Sequence, residues 1–228
     1  MANDYFRFKR FTISQSRCAM KVGTDGTLLG AWAHGGATIL DVGTGTGLIA
    51  LMMAQRFPDA HVTGVDIDED ACRQAEENVA ASPFNVRILH RNVKEMEGVY
   101  DVIVSNPPFF SNSLECPDRQ RSLARHTSSL GFGDLMQCAA RLLADVGEFS
   151  LILPVESKNE VEAEAALSGF FKVRECAVRT TPRKTPKRYL QAYRKHPVPC
   201  LELSEEVIEV EPGLRSEWYT CLTKDFYL

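Results

Sequence analysis

Residues 41–47, Asp-Val-Gly-Thr-Gly-Thr-Gly, decide the fold of this chain, because they place a glycine at every second position between two apolar segments. The preceding residues 38–40, Thr-Ile-Leu, predict a buried strand. The following residues 48–54, Leu-Ile-Ala-Leu-Met-Met-Ala, predict a helix packed on a sheet. A strand, a glycine turn and a helix in this order begin a doubly wound α/β fold.

The spacing of the glycines indicates the kind of ligand. Leu48 stands where a G-x-G-x-x-G pattern, which brings backbone N–H groups up to a pyrophosphate, would need its third glycine. The tighter loop of Gly43, Gly45 and Gly47 better suits a ligand without phosphate, such as S-adenosyl-L-methionine. Asp41 would supply negative charge near the sulfonium and ammonium of that cofactor. A glycine-rich structural turn is the alternative.

The bulk composition is that of an ordinary globular protein, with 228 residues, 44% of them hydrophobic. We expect one domain over residues 1–228, made of a cap segment (1–35), a core (36–200) and a C-terminal extension (201–228). Seven scattered cysteines without a C-x-x-C pair favour a reducing cytoplasm and predict no metal site. No apolar run approaches the roughly 18 residues of a membrane span, so we expect no membrane contact. We also expect a cytoplasmic protein and a monomer.

Two further strand ends carry candidate cofactor contacts. Residues 61–66 predict a strand ending in Asp66, which lies 19 residues after Gly47, close to the spacing at which an acid binds ribose hydroxyls in this fold. A third strand, residues 86–90, precedes Asn92, which we expect to hydrogen-bond the cofactor adenine. A plain turn asparagine is the other interpretation of Asn92.

The fourth strand, residues 100–105, ends in the segment 106–110, Asn-Pro-Pro-Phe-Phe. In a sheet of order 3-2-1-4-5, strands one and four are neighbours, so this segment and the glycine loop should meet at one edge. The Asn106 side-chain oxygen and the Pro107 carbonyl can accept from the two N–H bonds of a conjugated amine and free its lone pair. Phe109 offers a face on which a flat substrate stacks. A proline-rich turn that caps a strand is the alternative.

Three basic regions are candidate RNA contacts. Residues 6–13 alternate phenylalanine with basic residues and predict either an amphipathic strand or an edge that touches RNA. The polar segment 111–131 is a solvated loop or a substrate lid, with Arg119, Arg121 and Arg125.

The third region, residues 179–195, has seven basic residues and no acid in a chain of net charge −4. We expect a basic hairpin that binds an RNA backbone, with a solvated loop as the alternative. The residues assigned to RNA binding are Arg183, Lys184, Lys187 and Arg188.

Residues 41–47, Asp66 and residues 106–109 together resemble the class I, Rossmann-like methyltransferases that modify exocyclic nitrogens. The flanking residues 17–32 and 219–228 resemble the bacterial tRNA1(Val) (adenine-37-N6)-methyltransferases. The resemblance implies a mostly parallel, seven-stranded sheet with helices on both faces. It also implies transfer of a methyl group to N6 of the adenine just 3′ of the anticodon.

By position, the resemblance assigns one set of residues to the cofactor and another to the adenine. The cofactor set is Asp41, Gly43, Gly45, Gly47, Asp66, Asn92 and Val93; the adenine set is Asn106, Pro107 and Phe109. The chain departs from the family at Phe109, where tyrosine is frequent, and at Asn92, where aspartate is common. The same site also fits a methyltransferase for the guanine N2 of ribosomal RNA or a protein glutamine amide, and a non-catalytic module with this fold is a further alternative.

Overall fold

The computed structural model describes residues 4–16, 21–107 and 130–227. Phe109, Arg119, Arg121 and Arg125 lie outside these ranges. The strands of the described residues are β1 (Tyr5–Arg7), β2 (Thr12–Ser14), β3 (Thr38–Val42), β4 (His61–Asp66), β5 (Val86–His90), β6 (Tyr100–Ser105), β7 (Leu143–Pro154), β8 (Phe171–Arg179), β9 (Arg188–Arg194), β10 (Glu202–Val207), β11 (Glu209–Glu211) and β12 (Leu214–Arg215). The helices are α1 (Thr24–Trp32), α2 (Leu48–Arg56), α3 (Glu69–Ala80), α4 (Phe132–Leu142), α5 (Lys158–Leu167) and α6 (Glu217–Thr223).

The central sheet has the order β10-β8-β9-β7-β6-β3-β4-β5. The five strands from β5 to β7 are parallel and follow the predicted order 3-2-1-4-5. β9 runs antiparallel between β7 and β8. The sheet has eight strands in the described residues, where the sequence predicted seven. The additional strand β10 pairs in parallel with β8, and its residues 202–205 are exposed, so it lacks the apolar alternation of a half-buried strand.

β7 begins irregularly. The strand starts at Leu143, but its residues 144–147 have no register partner in β6 or β9. The register between β6 and β7 shifts after the pair Tyr100–Leu143, so the segment before Glu148 is an irregular part of the strand. Gly147 permits this, because a Cβ there would lie 2.7 Å from the Asp101 carbonyl oxygen.

Two apolar cores cover the two faces of the sheet. α1 and α2 pack on one face, together with the β1–β2 hairpin and the C-terminal residues Tyr219 and Phe226. α4 and α5 pack on the other face. Phe8 and Phe11, which lie between β1 and β2, are buried and stack in this first core, so the N-terminal segment is a hairpin whose connecting rings belong to the core. No helix within the described ranges has the length and apolarity needed to cross a membrane.

Candidate active site

Strand register brings the predicted loops together at the carboxyl-end edge of the sheet. Val42, the last residue of β3, pairs with Ser105 of β6 and with Val65 of β4. The Ser105 hydroxyl donates to the Val42 carbonyl at 2.9 Å, which locks the two strand ends. The glycine loop therefore begins at Gly43 directly beside Asn106, as the sequence predicted.

The three loop glycines adopt left-handed backbone conformations and have two different roles. Their φ values are +72° at Gly43, +55° at Gly45 and +80° at Gly47, where other residues would be strained. Among the described residues, a Cβ at Gly43 would meet no atom within 4 Å, and one at Gly45 would meet only a backbone oxygen at 4.0 Å. A Cβ at Gly47 would lie 3.3 Å from the Cβ of Ala75 in α3. Gly43 and Gly45 thus leave open space beside the loop, whereas Gly47 lets the loop pack on α3.

Asp66 is anchored to the glycine loop. One carboxylate oxygen, Oδ2, accepts from the backbone N–H of Gly45 at 2.9 Å, and Oδ1 accepts from that of Asp68 at 3.0 Å. Each oxygen has a further lone pair, and the side chain is partly exposed at the strand end. The carboxylate is therefore oriented beside the open face of the loop, where a ribose hydroxyl could donate to it.

Asp41 lies behind the loop and is fully buried. Its Oδ2 accepts from the Thr44 hydroxyl at 2.7 Å and from the Ala50 N–H at 3.1 Å, which ties the loop to α2. Its Oδ1 is buried without a hydrogen-bond partner among the described residues. Burial raises the pKa of this carboxyl to about 7. A cationic ligand fits this environment, because a nearby positive charge would stabilise the ionised form. Sequence reasoning missed Thr44, although its place between two loop glycines was a signal.

Asn92 and Val93 have structural roles at the next strand end. The Asn92 side-chain oxygen accepts from the Lys94 N–H at 3.0 Å and caps the 3-10 helix Val93–Glu95. Val93 is buried in the core on the α4 face. The turn role that the sequence left open for Asn92 is thus present, and the predicted adenine contact stays a prediction.

Asn106 carries an unused acceptor at the end of β6. Its side-chain oxygen is buried and lacks a hydrogen-bond partner within the described part of the chain. A buried polar atom without a hydrogen bond destabilises the folded state by on the order of 1–3 kcal/mol, and such atoms are rare in native proteins. Pro107, which follows, is buried and has a fixed φ. The geometry therefore supplies a rigid, unsatisfied acceptor beside the open face of the glycine loop.

The basic hairpin (residues 179–195) lies at the same edge of the sheet. Arg188, the first residue of β9, pairs with Pro154, the last residue of β7, so the turn 180–187 projects beyond the carboxyl ends of the parallel strands. Neighbouring strands lie about 4.8 Å apart, which separates β9 from β6 by roughly 10 Å. The hairpin turn is thus a near neighbour of Asn106.

The cations of the hairpin fall into two groups. Arg179 pairs with Glu205, Arg194 with Glu148, and Arg188 with Asp25. The turn also holds three exposed cations with no ion-pair partner among the described residues, namely Arg183, Lys184 and Lys187. No three His, Cys, Asp or Glu side chains in the described ranges form a group that could hold a metal ion.

Comparison with known proteins identifies the family. The family model described as Methyltransferase small domain matches residues 26–181, more than half of the chain. This chain belongs to that family. The matched range contains the glycine loop, Asp66, Asn106 and the open face between them. These residues are therefore the candidate active site of a methyltransferase.

Full-length relatives narrow the comparison within this methyltransferase family. A protein of Parabacteroides distasonis named tRNA1(Val) (adenine(37)-N6)-methyltransferase is 48% identical over 100% of this chain and 99% of its own length. A protein of Trichodesmium erythraeum with the same name is 44% identical over the same shares of the two chains.

Solved structures show the fold alone, because their sequence identity is low. A protein of Agrobacterium tumefaciens described as a predicted O-methyltransferase superposes with a TM-score of 0.67 at 19% identity, covering 89% of this chain and 96% of that chain. The ribosomal protein L11 methylase of Lactobacillus delbrueckii gives a TM-score of 0.53 at 21% identity, with 75% and 78% covered. The class I methyltransferase fold predicted from the sequence is confirmed.

Proposed function

We propose that this methyltransferase uses S-adenosyl-L-methionine to methylate N6 of adenine 37, next to the anticodon of tRNA1(Val). The observation that carries the proposal is the buried, unpaired Asn106 oxygen beside the open face of the glycine loop. The choice of substrate rests on the names of full-length relatives that are 48% and 44% identical to this chain.

The cofactor residues contribute to binding in two ways, through the shape of the loop and through negative charge. Gly43 and Gly45 leave room for close approach to the loop backbone, and the Asp66 carboxylate accepts from the ribose hydroxyls. Asp41 provides a negative field behind the loop. When bound, S-adenosyl-L-methionine supplies an electrophilic methyl group on a sulfonium.

The adenine amine is a poor nucleophile because its lone pair is delocalised into the ring. The Asn106 oxygen accepts one N–H and the Pro107 carbonyl accepts the other, which favours a pyramidal nitrogen whose lone pair points away from both bonds. The two acceptors are fixed before the substrate arrives, so little reorganisation opposes the reaction. No strong base is required, because the extra proton can leave to water after the new N–C bond has formed.

An acceptor assay tests the proposed substrate against its alternatives. Purified protein is given radiolabelled S-adenosyl-L-methionine with total tRNA, ribosomal RNA or a protein extract, and the labelled tRNA is digested to locate the methyl group. We expect label on N6 of adenine 37. Label on guanine N2 of ribosomal RNA or on glutamine would identify an alternative substrate, and absence of label from all three would favour a non-catalytic module.

The basic hairpin supplies much of the tRNA affinity through phosphate contacts. Each lost contact reduces the salt dependence of log K by about 0.7–0.9. In the triple variant R183A/K184A/K187A, the slope of log K against log salt concentration should therefore be shallower by roughly two units. Binding of tRNA is measured at several salt concentrations, with Arg73→Ala as a control, since Arg73 is an exposed cation on α3 paired with Glu69.

Equal slopes for the wild type and the triple variant would show that the hairpin is a solvated face. The search for phosphate contacts would then move to Arg119, Arg121 and Arg125 in the segment outside the described residues.

A further inference from the structure

Arg188 differs from the other three cations that the sequence assigned to RNA. Its Nε donates to Asp25 Oδ2 at 2.7 Å, and the two side chains are 34% and 25% exposed. Its Nη1 donates to the Lys187 carbonyl oxygen at 3.0 Å. The guanidinium is therefore held by protein groups at the base of the turn that carries the exposed cations.

The partner carboxylate belongs to a helix that touches the cofactor side of the site. Asp25 lies in the first turn of α1, and residues 26–31 of that helix are buried. A Cβ on Gly26 would lie 3.0 Å from Leu48 Cδ2 and 3.8 Å from Ile49 Cγ1, so α1 and α2 are in close contact there. Leu48 is the first residue of α2 and directly follows the glycine loop.

These contacts form one chain of packed elements. The basic hairpin is joined to α1 by the Arg188–Asp25 pair, and α1 is joined to the glycine loop through Leu48. We infer that Arg188 and Asp25 are positioning residues, which couple the placement of bound RNA to the placement of the cofactor loop. This inference rests on the proposed function, because it requires RNA on the hairpin and a cofactor on the loop.

The strength of the Arg188–Asp25 ion pair limits how strongly RNA binding and cofactor binding can affect each other. Ion pairs that are partly exposed contribute little to stability and are screened by salt. Such a pair corresponds to roughly a two- to fivefold change in an equilibrium constant. By linkage, cofactor binding should raise RNA affinity by this factor, and RNA should raise cofactor affinity by the same factor.

The test measures binding of a labelled tRNA anticodon stem-loop at low salt, with and without saturating S-adenosylhomocysteine. In the wild type we expect about two- to fivefold tighter RNA binding with the cofactor product present. Asp25→Asn and Arg188→Gln should each abolish this difference, and the double variant should behave like either single variant. The exchanged pair D25R/R188D should restore part of the difference.

A matched variant separates positioning from direct phosphate contact. Arg183→Gln should weaken RNA binding and make the slope of log K against log salt concentration shallower. It should keep the cofactor effect, which is the tighter RNA binding seen with S-adenosylhomocysteine. Arg188→Gln should lose the cofactor effect with little change in slope. A slope lowered by about 0.7–0.9 in Arg188→Gln, together with an intact cofactor effect in Asp25→Asn, would make Arg188 a phosphate contact and overturn the inference.

Thermal unfolding and S-adenosylhomocysteine affinity without RNA are measured for each variant, so that a folding defect is recognised. Methylation of the stem-loop by the wild type is measured in the same samples. Methylation with no cofactor effect on RNA affinity would overturn the positioning role alone, whereas absence of methylation would count against the proposed function.

Discussion

Two buried carboxylates at opposite edges of the sheet have opposite environments. Glu148, at the amino-end edge, is 4% exposed and is contacted by Arg174 at 3.0 Å, Arg194 at 2.8 Å and His34 at 3.2 Å. Burial alone would raise the pKa of Glu148, but these partners lower it to about 2. Asp41, at the carboxyl-end edge, has only neutral donors within the described part of the chain, and burial raises its pKa to about 7.

The difference shows at which edge the fold itself neutralises a buried carboxylate. At the amino-end edge the protein provides the cations that its buried carboxylate needs. At the carboxyl-end edge Asp41 Oδ1 and Asn106 Oδ1 remain unpaired among the described residues. Unpaired buried atoms are destabilising, so the unpaired Asn106 oxygen beside the open glycine loop is explained if a ligand satisfies it.

The largest expected effect comes from the unpaired acceptor. Asn106→Ala should lower kcat by about two to three orders of magnitude, the range for loss of one preorganised hydrogen-bond partner. It should leave the melting temperature nearly unchanged, because the Asn106 side chain makes none of the hydrogen bonds found among the described residues. Single-turnover methylation and thermal unfolding measure the two effects.

The matched control is Asn78→Ala, since the Asn78 amide is buried and bonds Ser14 and the Thr46 carbonyl oxygen. That variant should lose stability. Methylation by Asn106→Ala at the wild-type rate would contradict the acceptor mechanism.

Glu148→Gln should have the next largest effect, and it acts on stability. The change leaves Arg174, which is 9% exposed, without its anionic partner, and breaking a buried pair costs about 3 kcal/mol or more. Arg194 and His34 are more exposed and can be rehydrated. Chemical unfolding at pH 7 measures the loss, and S-adenosylhomocysteine affinity should be unchanged.

The pH dependence provides a second readout for Glu148. Its folded pKa of about 2 lies below the ordinary value of 4.5, so its stabilising effect is complete above pH 4.5 and is lost as the pH falls towards 2. The Gln variant should lack this contribution to acid unfolding. Identical acid transitions in the two proteins would contradict the assignment.

Asp41→Asn should have the opposite effect on stability. The folded pKa of about 7 exceeds the ordinary 3.8, so ionisation destabilises the wild type progressively as the pH rises between these values. Asparagine keeps an acceptor for Thr44 and Ala50 without the charge. The variant should therefore be the more stable protein at pH 8, as measured by urea unfolding.

The same substitution should weaken cofactor binding. The positive charge of S-adenosyl-L-methionine should be attracted to the buried carboxylate, so loss of that charge should weaken binding by roughly tenfold. The loss should be larger for S-adenosyl-L-methionine than for S-adenosylhomocysteine, which lacks the sulfonium. Equal affinities of wild type and variant for both ligands would show that Asp41 only organises the loop.

The smallest expected effect is that of Gly43→Ala on stability. An alanine at φ +72° is strained by about 1 kcal/mol, and its methyl group would project into open space. Gly169→Ala is the matched control, because Gly169 has φ +80° and equally open surroundings. Both variants should lose similar stability, but only Gly43→Ala should weaken cofactor binding. Equal cofactor affinities would place the ligand elsewhere.

Local patterns predicted the part of the fold that carries the chemistry. Residues 41–47 predicted the strand, the glycine turn and the helix, and residues 61–66 predicted the strand that ends at Asp66. These predictions succeed because backbone conformation, side-chain period and parallel topology are properties of short segments. β10 was not predicted, because its pairing is decided by the neighbouring strand β8.

The sequence by itself determined the family's fold, the order of the parallel strands and the position of Asn106 beside the glycine loop. Only the tertiary structure decided which charged side chains form ion pairs. It pairs Arg188 with Asp25 across 163 positions, and it surrounds Glu148 with two arginines and a histidine from three separate segments. The composition of a basic segment cannot show which of its charges form ion pairs. An ion pair depends on distance and burial in the folded protein, whereas the sequence shows only which charges are neighbours along the chain.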